Sequence, residues 1–172
     1  NEINTGYGAG IKLGLKKVET EYCGWMHADL QQDATVLSKA KILLDNLNEK
    51  EISGSVALKG LRTGRSIFEN LFTVGVAIVT SILFFRKFWD IAGQPNIFKT
   101  SSLKFLDNAP DDHNFEFYVY IQFLRSQGTF KRFDAPFYKR RFGVSSWDRG
   151  LASKLKHANR IFKYILNLRF NS

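Results

Sequence analysis

Three groups of side chains in this 172-residue sequence have the types and spacing for chemistry on a phosphorylated ligand. The first lies in WMHADLQQD, Trp25 to Asp33. Asp29 can ligate a hard divalent cation, and Gln31 supplies a neutral oxygen or amide two residues on. Mg²⁺ and Mn²⁺ held through one or two carboxylates complete their shell with water and substrate phosphates. The spacing equally allows Asp29 simply to cap the next helix. The second group is Arg62 and Arg65 in KGLRTGR, with Arg140 and Arg141 further on. Planar guanidinium groups grip phosphate bidentately, although isolated arginines usually form a solvated basic surface. The third is NAPDDHNFEFYVY. Asp112 and Glu116 are four apart and share a face if helical, so either can remove the proton of an acceptor hydroxyl, and Asp111 is a further candidate. The plainer reading is an N-cap at Asp111 or Asp112, with Glu116 in a first turn where the helix dipole favours it.

The elements that position these groups follow from periodicity. Residues from Gly8 to about Glu19 read as a helix, and Tyr22 to Asp29 as a short buried strand that puts Asp29 at its tip. A carboxylate at the C-terminal end of a parallel strand sits where open α/β sheets bind ligands. Asp33 is a plausible N-cap for a helix carrying Val36, Ala40, Leu43, Leu44 and Leu47 on one face. Ser53 to Lys59 is a second strand. Arg65 to about Trp89 is a long helix whose run Leu71–Phe85 holds 15 residues without a charge. A membrane span needs about 20 apolar residues, so packing within the fold or at an interface is expected instead. Gly93 to Asn96 form a turn before a short strand at Ile97 and Phe98. Phe115 to about Ser126 is a helix, and Phe130–Phe133 and Pro136–Arg140 are extended. Ser145 or Ser146 caps a last helix whose apolar stripe is Trp147, Leu151, Leu155, Ala158, Phe162 and Ile165. Helices alternating with strands over short connections imply an α/β domain with a mainly parallel sheet.

Composition narrows the class. Apolar residues make up 44% and charged residues 24%, which excludes wholesale disorder. The lone Cys23 rules out an internal disulfide, and the scattered His27, His113 and His157 argue against an all-histidine metal site. The net charge of +9 is concentrated at the end: residues 1–124 hold 13 Lys and Arg against 14 Asp and Glu, and residues 125–172 hold 12 against 2. That asymmetry points to an anionic partner. The final helix is basic and amphipathic, suited either to packing with one solvated face or to a membrane surface. No signature of a nucleic-acid-binding module is present.

YCGWMHADLQQD resembles the metal-binding segment of the family-2 glycosyltransferases, inverting enzymes of the GT-A fold. It is most similar to the branch of dolichyl- and polyprenyl-phosphate sugar synthases, which reads DADLQ. GYGAGIKLGL resembles that family's Gly-rich helix entry, KGLRTGR its basic segment after the next strand, FWDIAGQPNIFK its Asp-to-Gly-Phe segment beside the acceptor, and FYKRRFGVSSW its R-x-x-G-x-S closing motif. The five run in order from about Gly6 to Trp147. Two departures stand out: His27 replaces the first Asp of the family's D-x-D, leaving Asp29 as the main ligand, and Ser146 replaces the Lys that often follows the motif's Ser. His27 either ligates or packs behind the ligand. The family's nucleotide-binding first strands are expected ahead of Gly6.

The resemblance implies that residues 1–146 are the C-terminal portion of a GT-A catalytic domain and that 147–172 form the basic helix packed on or extending from it. It implies transfer of a sugar, with inversion, from a nucleotide-sugar donor to a polyprenyl phosphate or glycan. Mg²⁺ or Mn²⁺ would sit on Asp29 and Gln31. Arg62, Arg65, Gln94, Arg140, Arg141, Ser145 and Trp147 would hold the donor, with Trp147 stacking on a sugar or else anchoring the last helix. Asp112 or Glu116 would be the base. The expected location is the cytoplasm, at the inner face of the membrane, with a peripheral contact to it. The competing expectations are a non-enzymatic binder of anionic surfaces and an inactive fragment of such an enzyme.

Overall fold

The computed structural model describes residues 4–48, 51, 55–138, 140 and 150–170. The elements are α1 (Tyr7–Leu15), β1 (Tyr22–Trp25), α2 (Val36–Asp45), β2 (Val56–Thr63), α3 (Ile67–Phe84), β3 (Asn96–Lys99), α4 (Phe115–Arg125), β4 (Thr129–Pro136) and α5 (Leu151–Phe170). Their order matches the alternation expected of an α/β chain. The strand at Tyr22 is shorter than the sequence suggests, so Asp29 lies in the loop beyond it. The extended segment Phe130–Phe133 lies inside β4, which runs on to Pro136, whereas Phe137, Tyr138 and Arg140 of the segment expected at Pro136–Arg140 lie beyond the strand. Asp33 sits one turn early: its carboxylate accepts from Thr35 N at 2.8 Å, and α2 starts behind Thr35.

The four strands form one sheet in the order β1-β3-β2-β4. The sheet is mixed, which corrects the expectation of a mainly parallel one. β3 is antiparallel to both β1 and β2, and among the described residues only β2 and β4 pair in parallel, from Val56↔Thr129 to Thr63↔Pro136. The four residues of NIFK reveal a strand but not its direction, which is set by the turn Gln94–Pro95 and by pairing with distant segments. The reversal of β3 leaves β1, β2 and β4 running the same way. Their C-terminal ends therefore share one edge of the sheet, and the loops leaving that edge carry Asp29, Arg65 and Arg140.

The core lies between the sheet and α4. Phe115, Val119, Ile121 and Phe123 of α4 are fully buried, together with Leu58 and Phe98 of the sheet. Phe98 meets Phe123 and Phe130 edge-on, at 5.1 and 6.0 Å between ring centroids, the preferred arrangement for aromatic quadrupoles. The Gly-rich entry to α1 has a packing cause. Gly8 N and Ala9 N both donate to Asp111 O, and a Cβ on Gly8 would lie 2.2 Å from Pro110 O. Only glycine lets α1 rest this close to the loop ahead of α4.

Two helices depart from expectation. α5 buries Ile161, Ile165 and Leu168, whereas Leu155 and Phe162 from the expected stripe are exposed. On α3, Ala77 and Thr80 are buried while Ile67, Leu71, Ile78 and Ile82 face outward. No helix among the described residues is long and apolar enough to cross a membrane.

Candidate functional site

A cleft of about 680 Å³ opens at the edge where β1, β2 and β4 end. Its polar rim is built by the three loops that follow them. Asp29 Oδ2 accepts from an Arg140 guanidinium nitrogen at 2.7 Å, and Asp29 Oδ1 accepts from Gln31 N at 3.2 Å. Gln31 ties the two loops together: its backbone O accepts from Tyr138 N at 2.7 Å, and its Nε2 donates to Tyr138 O at 3.1 Å. Two residues assigned from the sequence to a metal, Asp29 and Gln31, thus meet one assigned to phosphate, Arg140. Among the described residues no cluster of three or more His, Cys, Asp or Glu could hold a metal ion. One carboxylate and one amide oxygen are the donor set of an ion that takes most of its ligands from water and a diphosphate. Such an ion would have to displace Arg140, which donates to Asp29 Oδ2 at 2.7 Å and to Gln31 Oε1 at 3.4 Å.

Arg62 lies one residue before the end of β2 and Arg65 two residues after it, yet their environments differ. Arg62 is almost buried and forms a fork with Asp90: Nε reaches Oδ1 at 2.9 Å and Oδ2 at 3.2 Å, a second guanidinium nitrogen contacts Oδ1, and Arg62 N donates to Oδ2 at 3.0 Å. Burial pushes the Asp90 carboxyl up, but the Arg62 charge and hydrogen bonds outweigh it and hold the group below its usual range. Gly93 makes room for this carboxylate, since a Cβ there would lie 2.7 Å from Asp90 Oδ2 and 2.4 Å from Gly60 O. Arg62 is therefore spent inside the protein. Arg65 donates to Thr73 Oγ1 at 2.8 Å, and its buried Nε has no hydrogen-bond partner. It makes no salt bridge among the described residues. Burial, then the neighbouring Arg62 charge, lowers its pKa. Both guanidiniums flank the Phe137 ring, at 5.7 and 5.9 Å from its centroid.

The cleft floor is a hydrogen-bonded hub around Glu116. Its Oε1 accepts from Tyr7 Oη at 2.7 Å, Trp25 Nε1 at 2.8 Å and Gln94 Nε2 at 2.9 Å, and its Oε2 accepts from Asn96 Nδ2 at 3.2 Å. The fully buried Lys59 ammonium lies 4.0 Å from Oε2 and donates to Gly93 O at 2.7 Å and to Asn96 Oδ1. Burial drives the Lys59 pKa down to about 7 despite Glu116. Burial, then the Glu116 charge, raises the Tyr7 phenol well above its usual range. Gln94 is buried with an unpartnered Oε1 facing this region.

Asp112 and Glu116 do not share a helix face, because α4 begins at Phe115. Asp112 closes the turn before it, accepting from Asn114 N at 2.9 Å and Asn114 Nδ2 at 3.0 Å. Asp111 pairs with Lys12 at 2.8 Å. Only Glu116 of the three lines the cleft. Arg141, Ser145 and Trp147 lie outside the described residues.

The three histidines, scattered in sequence, converge on the cleft. His113 stacks on Tyr7 at 4.8 Å between centroids and meets His157 at 6.5 Å, and His27 lies 6.3 Å from Tyr7. Burial is the main cause that lowers the pKa of His27 and of His157. Sequence reasoning missed this cluster, as it missed Tyr7, Lys59, Asp90 and Asn96. Asp90 and Asn96 do flank Gln94 inside FWDIAGQPNIFK, which was the one available signal. No protein-family model matches this chain, and no characterised protein matches it either.

Proposed function

We propose that the cleft transfers a sugar, with inversion, from a nucleotide-sugar donor. The observation that carries this reading is the Asp29 carboxylate on the cleft rim, 2.7 Å from Arg140, with the Arg65 guanidinium, which makes no salt bridge among the described residues, lining the same cleft. A carboxylate sealed in the core, or one facing away from the arginines, would have removed its basis.

In this scheme Arg65 and Arg140 take the donor diphosphate through charge-assisted hydrogen bonds. They oppose the negative charge that grows on the leaving group. Mg²⁺ or Mn²⁺ held by Asp29 and Gln31 would add further neutralisation of that charge. Arg62 acts as a support, fixing the Asp90 loop and one face of Phe137. Gln94, named with the donor contacts, lines the cleft over the hub, but its unpartnered Oε1 is buried and does not reach solvent. Arg141, Ser145 and Trp147 are retained as donor contacts from the motif alone.

Among the described residues the carboxylates lining the cleft are all engaged: Asp29 by Arg140, Glu69 by Ser66 and Glu116 by its four donors. A carboxylate already accepting four hydrogen bonds is a poor base. This supports an acceptor whose attacking oxygen is already ionised, such as a polyprenyl phosphate, over a glycan hydroxyl that needs Glu116 or Asp112 to deprotonate it. The enzyme would then work in the cytoplasm, at the inner face of the membrane. A panel of nucleotide sugars with and without Mn²⁺, read by thermal shift, tests the reading. One nucleotide should raise the melting temperature in a cation-dependent way. A flat response across the panel rejects donor binding and leaves the anionic-surface binder or the inactive fragment.

A further inference from the structure

The charge-free run Leu71–Phe85 has one bare side. Ile67, Leu71, Ile78 and Ile82 of α3 are between 52% and 77% exposed and recur at helical spacing, so they form one ridge opposite the buried Ala77 and Thr80. The helix ends on Phe85, whose left-handed cap conformation turns the ring outward at 83% exposure. Arg86, Lys87 and Trp89, all exposed, follow it.

α5 runs alongside α3. Phe72 and Val76 share the cleft with His157 and Ile161, while Arg169 meets Phe85 at the far end. Because Ile161, Ile165 and Leu168 take the core, Leu155, Phe162 and Phe170 form a second outward ridge. Lys156, Arg160 and Lys163 are exposed on the rows beside it. The two ridges meet where the Arg169 guanidinium lies 5.8 Å from the Phe85 ring and 6.0 Å from the Phe170 ring.

We propose that the outer ridges of α3 and α5 form a docking surface for an anionic lipid bilayer. A soluble surface seldom leaves so many large aliphatic and aromatic side chains bare in a row. Helices lying in a membrane interface pair such a ridge with basic neighbours and place aromatic rings at the boundary. Charge selects the occupant. The face carries Arg86, Lys87, Lys156, Arg160, Lys163 and Arg169, and no acidic residue occurs in 70–89 or in 150–170. A second copy of the chain would set those cations against their own kind. A polyanion such as RNA would match the charge and leave the aliphatic ridge in water. An anionic leaflet takes both the apolar ridge and the cations. The inference stands on exposure and charge alone and does not rest on sugar transfer.

Sedimentation of the full chain with vesicles tests it. Vesicles of phosphatidylcholine with about 30% phosphatidylglycerol should pull the protein down, and pure phosphatidylcholine should do so at least about tenfold less. Raising NaCl to about 0.5 M should weaken the binding strongly, because exposed charges are then screened. The Ile78→Ser/Ile82→Ser variant alters only the bare side, so its circular dichroism should be unchanged, and its vesicle partition should fall about tenfold. The Lys156→Gln/Lys163→Gln variant should bind less and depend less on salt. Equal binding to both vesicle types, or unchanged binding by the Ile78/Ile82 variant, overturns the proposal. So does a dimer in size-exclusion chromatography that this variant dissolves while the parent ignores vesicles. A negative nucleotide-sugar panel leaves the vesicle result intact, so the two readings fail separately.

Discussion

Arg140 closes on Asp29 across 111 residues of sequence, joining the loop after β1 to the segment after β4 at 2.7 Å. The pair is partly solvated, with side-chain exposures of 32% and 24%, and pairs of this kind contribute about 0.2–1 kcal/mol. Asp29→Ala should therefore lower the melting temperature by less than about 4 °C. The same change should abolish any Mn²⁺-dependent shift produced by a nucleotide sugar. A cation-dependent shift that survives in Asp29→Ala removes this residue from the proposed site.

Arg62, in strand β2 just before its last residue Thr63, and Arg65, just beyond the strand, should separate in a mutational comparison. Arg62→Ala strands the buried Asp90 carboxylate, and breaking a buried pair costs about 3–5 kcal/mol. Arg65→Ala removes a guanidinium with no salt bridge among the described residues and should be close to neutral for folding. In nucleoside diphosphate titrations followed by calorimetry, Arg65→Ala should weaken binding by about tenfold or more, since hydrogen bonds to charged groups contribute about 1.5–3 kcal/mol. Undiminished affinity in Arg65→Ala would show that the cleft does not use it for phosphate.

Glu116 separates a structural role from a catalytic one. It is buried beneath four donors and the Lys59 ammonium. Glu116→Gln leaves Lys59 without its nearest counter-charge and turns an amide NH₂ toward groups that already donate. A loss of about 3–5 kcal/mol is expected, or roughly 10 °C in melting temperature. A variant that melts like the parent but has lost transfer activity would instead make Glu116 the base and revive the hydroxyl acceptor.

What the sequence disclosed and what it hid divide along physical lines. Asp29, Gln31, Arg65 and Gln94 were legible because they sit within a few residues of a strand end or turn, where local pattern fixes position. The direction of β3 was hidden, since four residues carry no record of which neighbours they pair with. Lys59 reads as one more strand residue in SGSVALK, and its burial depends on Asn96 and Glu116, 37 and 57 positions away. α5 has two apolar ridges, Leu155/Phe162 and Ile161/Ile165/Leu168. The stripe read from the sequence runs through Leu155, Phe162 and Ile165, and packing against the core keeps Ile165 of these three and joins it to Ile161 and Leu168.

Lys59 also gives the protein a pH signature. Burial holds its pKa near 7 in the folded state, against about 10.4 in an unfolded chain. Below pH 7 the ammonium is charged in both states, and its desolvation penalty is fully present. Between about pH 7 and 10 the unfolded chain binds more protons than the folded one, so stability rises with pH, by at most about 1.4 kcal/mol per unit from this group. The window closes near pH 10: the buried Tyr7 phenol has a raised pKa and stays protonated, while an unfolded tyrosine ionises, which lowers stability at higher pH. Urea midpoints at pH 6.5, 8 and 9.5 should therefore increase in that order. Lys59→Met, which keeps the length of the chain without the charge, should flatten the series. A midpoint in the parent that falls steadily from pH 6.5 to 9.5 would mean that the ammonium stays protonated inside the fold, with Glu116 as a full counter-ion.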